Sequence, residues 1–239
     1  MHGSRASVTA LATALRSGLP GWQRMSAVVF PVSLHLQTVS DILREGPVAF
    51  GVQNIYPAIS GAFTGELSAP MAAELGCQYA LIGHSERRQL FGETAPFIAA
   101  KCQAALQAGL KPVLCVGETR EERDTGQTEQ VIRDQLASVM AVVGVTGFQA
   151  GVIAYEPVWA IGTGLTATPE QAQAVHAFIR QWLRQHDAAL AEKTQILYGG
   201  SVKASNAGAI FAMPDVDGAL IGGASLSAEE FLAICHAAR

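Results

Sequence analysis

From Ala27 onward, short apolar runs alternate with longer segments in which apolar residues return at helical spacing. The runs are 27–30 (AVVF), 48–53 (VAFGVQ), 79–84 (YALIGH), 112–118 (PVLCVGE), 151–156 (GVIAYE), 195–200 (QILYGG) and 218–223 (GALIGG). None alternates apolar with polar residues, as expected of parallel strands covered on both faces. Helical patterns cover 94–108, 127–143, 169–187 and 227–238. Gly109 closes the first, and Thr168 caps the third with Pro169 at its first helical position. An earlier helix covers 6–15, where Val8, Leu11, Ala12 and Leu15 share one face and Ser4 supplies the cap. Repeated strand–helix units with no linker predict one parallel α/β domain spanning residues 1–239.

Two architectures fit such units, an open doubly wound sheet and a closed (β/α)8 barrel. Polar and glycine residues gather at the C-terminal ends of several runs: Asn54, His84 with Glu86, Glu118, Glu156, Gly199-Gly200-Ser201 and Gly222-Gly223. An open sheet concentrates its site at one switch point, whereas a barrel distributes it around a rim, so the barrel is favoured. The chain opens on a helix, which leaves the count one strand short of a closed barrel, at the N-terminus.

Composition narrows the function. Charged residues are 15% of the chain, the net charge is −4, and the sixteen Lys and Arg are scattered, which argues against nucleic acid as a partner. Cys77, Cys102, Cys115 and Cys235 form no CxxC pair and sit in apolar segments, so they read as buried thiols in a reducing, cytoplasmic setting, and no metal site is written. Segment 6–15 is the one stretch resembling a signal peptide, and its periodicity marks a surface helix. No run approaches the ~18 apolar residues of a membrane span.

Glu156 ends a strand of small and apolar residues, where partial desolvation raises the basicity of a carboxylate. It reads as a general base, the alternative being a strand-end glutamate paired with a lysine. The following Pro157 and Trp159, and then Gly162 and Gly164, fit a movable loop stiff at one end and relaxed at the other. His84 stands at another strand tip and at the start of a helical turn. A lone histidine is often structural, but here a helix N-terminus would depress its pKa and keep it neutral, able to donate to a carbonyl. Neutral histidine with a carboxylate base suits proton transfer next to a carbonyl. The two Gly-Gly pairs follow the last two strands, where backbone N–H groups can hold a phosphate.

HSERRQLFGET (84–94), AYEPVWAIGTG (154–164), YGGSV (198–202), GALIGGASL (218–226) and GAFTGE (61–66) closely resemble motifs of the triosephosphate isomerase family, in family order along nearly the whole chain. The resemblance implies interconversion of dihydroxyacetone phosphate and D-glyceraldehyde 3-phosphate through an enediolate, in glycolysis and gluconeogenesis, with no metal or organic cofactor. By the same resemblance Glu156 is the base and His84 the electrophile that polarises the carbonyl. Gly162, Ser201, Gly222 and Gly223 match phosphate-binding positions, and Glu86 and Cys115 match supporting positions beside the site. Thr64 in the 61–66 loop matches the threonine that reaches into a partner's site, implying a homodimer. Leu165 stands where many relatives carry lysine, in the hinge, with a tuning effect at most.

Family members open on a strand ending NWKMHGS, whose asparagine and lysine contact substrate, whereas this chain reads MHGS at its start. The expectation is a start assigned at an internal methionine, with true loss as the alternative, and low activity for the chain as written. None of Lys101, Lys111, Lys193 or Lys203 falls at the C-terminal end of a strand. Glu86, the lysine's family partner, is then expected to be partly buried without it. Two other readings stand beside the enzyme: a non-catalytic barrel binding a phosphorylated metabolite or a protein, and an isomerase of another sugar phosphate.

Overall fold

The computed structural model describes residues 1–19, 26–161 and 166–238. Seven strands, β1 (Ala27–Val29), β2 (Val48–Val52), β3 (Tyr79–Ile82), β4 (Lys111–Val116), β5 (Val152–Tyr155), β6 (Gln195–Tyr198) and β7 (Gly218–Ala219), form one sheet in chain order. Every neighbouring pair is parallel, with register such as Val113↔Val152 and Ile153↔Ile196. The intervening helices are α1 (Arg5–Gly18), α2 (Leu36–Leu43), α3 (Ala69–Glu74), α4 (Ser85–Phe91), α5 (Ala95–Gln107), α6 (Arg120–Asp124), α7 (Thr128–Gln149), α8 (Pro169–His186), α9 (Ala188–Lys193), α10 (Ala204–Phe211) and α11 (Ala228–Ala237). This is the curled α/β sheet of a TIM barrel. Among the described residues β1 and β7 are its edges, and α1 precedes β1.

Alternation along each strand divides the core in two. Leu81, Val113, Cys115, Val152 and Ala154 form a small cluster with Phe30, Leu197 and Leu220. Their sequence neighbours Ala80, Ile82, Leu114, Val116, Ile153 and Tyr155 join the larger cluster that includes helix residues. The strands are therefore covered on both faces, which is why they read as continuous apolar runs.

The helix signals act as expected at the caps. Ser4 accepts from the backbone of Ser7 in a reciprocal capping box at α1, and Thr168 does the same with Gln171 at α8. Helix α7 departs from the expected 127–143: its helical hydrogen bonding resumes after a break at Gly144 (φ 67°, ψ 179°), a conformation that a side chain would resist. By length and composition the whole span 128–149 would suffice to cross a bilayer, but the break at Gly144 divides it into two shorter helices. Its Ile132, Leu136, Val139 and Phe148 are buried in the core. Each such side chain contributes about 1.5–3 kcal/mol by leaving water.

The strand ladders stop earlier than the apolar runs. β3 ends at Ile82, β5 at Tyr155, and β7 holds Gly218 and Ala219 alone. The polar tips picked out in the sequence therefore sit just beyond the ladders, on irregular backbone free to face a ligand.

Candidate active site

Glu156 follows β5 directly, and its N–H makes one more sheet-like bond to the carbonyl of Val116 at 2.7 Å. Two glycines then confine Glu156, one at the main chain and one at the side chain. A Cβ on Gly117 would lie 1.8 Å from the Glu156 carbonyl oxygen, and one on Gly199 would lie 2.9 Å from Glu156 Cγ. The side chain is 2% exposed and fully engaged: Oε2 accepts from Ser85 N (2.9 Å), while Oε1 accepts from Ser85 Oγ (3.3 Å) and faces His84 Nε2 at 2.9 Å. The expected base and the expected electrophile thus meet across the tips of β3 and β5.

His84 is the cap of α4, and its Nδ1 accepts from the Glu86 N–H at 3.3 Å. A ring nitrogen that accepts cannot carry a proton, so this geometry assigns the proton to Nε2, pointing at Glu156. The preceding Gly83 turns the chain in the left-handed region (φ +71°), and Arg88 fixes that turn. Its Nε donates to the Gly83 carbonyl at 2.7 Å and its guanidinium reaches the Cys115 carbonyl on β4 at 2.8 Å. One rigid fork therefore joins the histidine turn to the next strand.

The helix start was expected to depress the His84 pKa, and the structure reverses the direction. Burial lowers it, but the hydrogen bond and charge of Glu156, then the charge of Glu86, outweigh burial and hold the imidazole above its ordinary value. Glu86 itself is 71% exposed on its side chain, 3.8 Å from His84 Nδ1, so the expected partial burial is not found. Cys115 is wholly buried beside the site, and burial followed by the charge of Glu156 pushes its thiol well up. It is no nucleophile at neutral pH.

The two Gly-Gly pairs turn out to differ. At Gly200 a Cβ would strike the Tyr198 hydroxyl at 2.1 Å, so Gly199 and Gly200 are demanded by packing against Glu156 and Tyr198. At Gly222 and Gly223 nothing lies within 4 Å of such a Cβ, and both residues are exposed, which leaves open backbone for an anion. Ser201 is exposed past β6, its carbonyl accepting from Asn206. Gly162, with Gly164 and Leu165, lies outside the described residues.

Sequence reasoning missed two roles. Glu118, noted as a rim carboxylate, has no exposed surface and gathers donors on Oε1 from Tyr155 (3.1 Å), Trp159 (3.0 Å) and Arg123 (3.0 Å). It thereby ties the start of the loop after Glu156 to the end of β4. Lys101, which sits on no strand end, reaches from α5 to Asn54 past β2 (2.7 Å) and to the buried Glu93 (2.5 Å), which also takes Arg87. Burial of Lys101 without a carboxylate partner would be prohibitive, and Glu93 supplies that partner.

The family model described as triosephosphate isomerase matches residues 1–238. The chain belongs to the triosephosphate isomerase family. It is 54% identical over 238 residues to the triosephosphate isomerase of Thiobacillus denitrificans, covering 100% of this chain and 95% of that protein. It is 52% identical over 239 residues to that of Hydrogenovibrio crunogenus, with 100% and 94% covered. The corresponding protein of Pseudomonas putida is 54% identical over 240 residues, with 100% and 95% covered. As a triosephosphate isomerase family member, the chain carries isomerase motifs on a TIM barrel whose strand tips hold Glu156 and His84 together. Among the described residues no group of three His, Cys, Asp or Glu side chains gathers as metal ligands would.

Proposed function

We propose that this chain is a triosephosphate isomerase acting in glycolysis and gluconeogenesis, interconverting dihydroxyacetone phosphate and D-glyceraldehyde 3-phosphate through an enediolate. The observation that carries the reading is the 2.9 Å approach of His84 Nε2 to Glu156 Oε1 at the tips of β3 and β5. Without substrate each group occupies the other. A bound triose phosphate displaces that contact: the Glu156 carboxylate turns from Ser85 to take a proton from carbon, and His84 Nε2–H donates to the carbonyl oxygen. As the carboxylate moves away, the interaction that raises the imidazole pKa weakens, which favours the neutral form needed for donation. Ser201, Gly222, Gly223 and Gly162 take the phosphate, and Glu86 and Cys115 flank the reacting groups.

The reading includes a homodimer through the 61–66 loop and a cytoplasmic setting, with neither nucleic acid nor membrane as partner. Ile59 and Phe63, exposed apolar side chains beside and on that loop, support the interface. Four buried free cysteines suit a reducing compartment.

The test is turnover of dihydroxyacetone phosphate by the purified chain and by Glu156→Gln, with binding of 2-phosphoglycolate measured in both. Turnover in the first and its loss in the second is expected. Binding without turnover in either would favour the non-catalytic barrel and overturn this reading.

A further inference from the structure

Gly117 stands just past β4, where the ladders have ended: the last paired residues are Leu114 with Ile82 and Val116 with Tyr155. Its N–H and C=O therefore need other partners. Both are taken by a single side chain from α7. Gln135 Oε1 accepts from Gly117 N at 2.9 Å, and Gln135 Nε2 donates to Gly117 O at 3.0 Å. The primary amide copies the donor and acceptor of an adjacent strand and holds the glycine at two points.

What Gly117 touches gives this clamp a consequence. Its Cα faces the carbonyl of Glu156 so closely that even a methyl group would overlap it, at 1.8 Å. The next residue, Glu118, is the buried carboxylate that receives Trp159 and Tyr155. A displacement of Gly117 would therefore move the floor beneath the Glu156 main chain and the anchor of the segment that follows it. The carboxylate of Glu156 is held by Ser85 and His84, and the amide of Gln135 by Gly117, so the influence of Gln135 on the site passes through the backbone.

We propose that Gln135 is a positioning residue for proton transfer: by clamping both main-chain groups of Gly117 it fixes where the backbone of Glu156 lies. The inference rests on the reading of Glu156 as the base. Proton transfer is steep in geometry, and misplacement by about 1 Å can cost on the order of 10²-fold. Gln135→Leu keeps the side-chain bulk and deletes both hydrogen bonds. Gln135→Glu retains the acceptor for Gly117 N and sets a carboxylate oxygen against Gly117 O.

The test measures kcat and KM for both variants in the native background and in Glu156→Asp, together with the His84 titration followed by imidazole NMR. Expected are a kcat loss of about 10-fold or more with KM held within about 2-fold, and a loss shrinking to under about 2-fold when Glu156→Asp has already withdrawn the carboxylate. The His84 titration should move down, because its Glu156 partner is displaced. Equal losses in both backgrounds, or an unchanged kcat, would overturn the proposal. Should Gln135→Leu fail to fold, the same criteria are applied to Gln135→Glu. If the native chain shows no turnover, the functional reading fails separately, and the His84 titration decides for Gln135: a downward move supports the clamp, no move overturns it.

Discussion

Trp159 donates its indole N–H to Glu118 across 3.0 Å, joining the short turn after the Glu156 segment to the end of the neighbouring strand. Glu118 is fully buried and paired with Arg123, whose guanidinium also lies 4.4 Å from the Trp159 ring centre. The carboxylate is thus a junction through which a turn, a strand and a helix constrain one another.

Two substitutions separate the parts of that junction. Trp159→Phe removes one donor and leaves Arg123 and Tyr155 in place, so unfolding free energy should fall by about 1–2 kcal/mol. Glu118→Leu removes the shared acceptor of Arg123, Tyr155 and Trp159 at once. It should cost about 3 kcal/mol, the low end for a broken buried pair, because the Arg123 side chain keeps 25% exposure. Urea denaturation of the three proteins checks the order. Equal stability of Glu118→Leu and the native chain would deny Glu118 this role.

Glu156→Asp shortens the base by one methylene while keeping its charge. The carboxylate would retreat from both Ser85 and the reacting carbon, and turnover should drop on the order of 10²-fold or more. Binding of 2-phosphoglycolate should change little, since the phosphate is read elsewhere. Native turnover in this variant would remove Glu156 as the base.

His176 on α8 is wholly buried, with Nδ1 3.1 Å from the Asp215 carbonyl oxygen and no partner for Nε2 among the described residues. Burial lowers its pKa from 6.5 to about 4, opposed in part by the Asp215 carbonyl. The unfolded chain therefore takes up this proton first as pH falls. The associated stability is complete above the unfolded pKa and is lost between roughly pH 6.5 and 4, at up to about 1.4 kcal/mol per pH unit. His176→Gln should flatten that part of the native stability profile, measured by urea melts across the range. Parallel profiles for the two proteins would contradict the assignment.

The sequence made the strands legible because burial on both faces removes polar residues from them, and the helices legible where caps such as Thr168 announce the start. Strand ends were less readable. Gly199-Gly200 and Gly222-Gly223 look alike as dipeptides, yet the first pair is pressed against Glu156 and Tyr198 while the second stands open. Glu156 and His84 could be placed at strand tips from local pattern alone. Their meeting could not, since Ser85 and Glu156 are 71 positions apart and nothing local selects that pairing. The direction of the His84 pKa depended on the same contact, so the helix start alone gave the wrong sign. The clamp of Gln135 on Gly117 was hidden for a related reason: an amide on a helix gives no sign of which backbone it will meet.

Arg88 offers the last test, because its geometry distinguishes a fork from a charge. Nε holds the Gly83 carbonyl, one residue before His84, and Nη2 holds the Cys115 carbonyl on the next strand. Arg88→Lys keeps the positive charge but offers a single ammonium on a flexible stem, which cannot reproduce two planar donors. One carbonyl should be left without its partner, at a cost of about 1–2 kcal/mol in unfolding free energy. The His84 turn should also loosen, lowering kcat by about 10-fold with a smaller change in KM. Arg88→Met deletes the charge as well, and if the fork is what matters its kcat should fall close to that of Arg88→Lys. Native kcat in Arg88→Lys with a large loss in Arg88→Met would show that charge alone suffices, and the two carbonyl bonds would then have no part in holding the His84 turn.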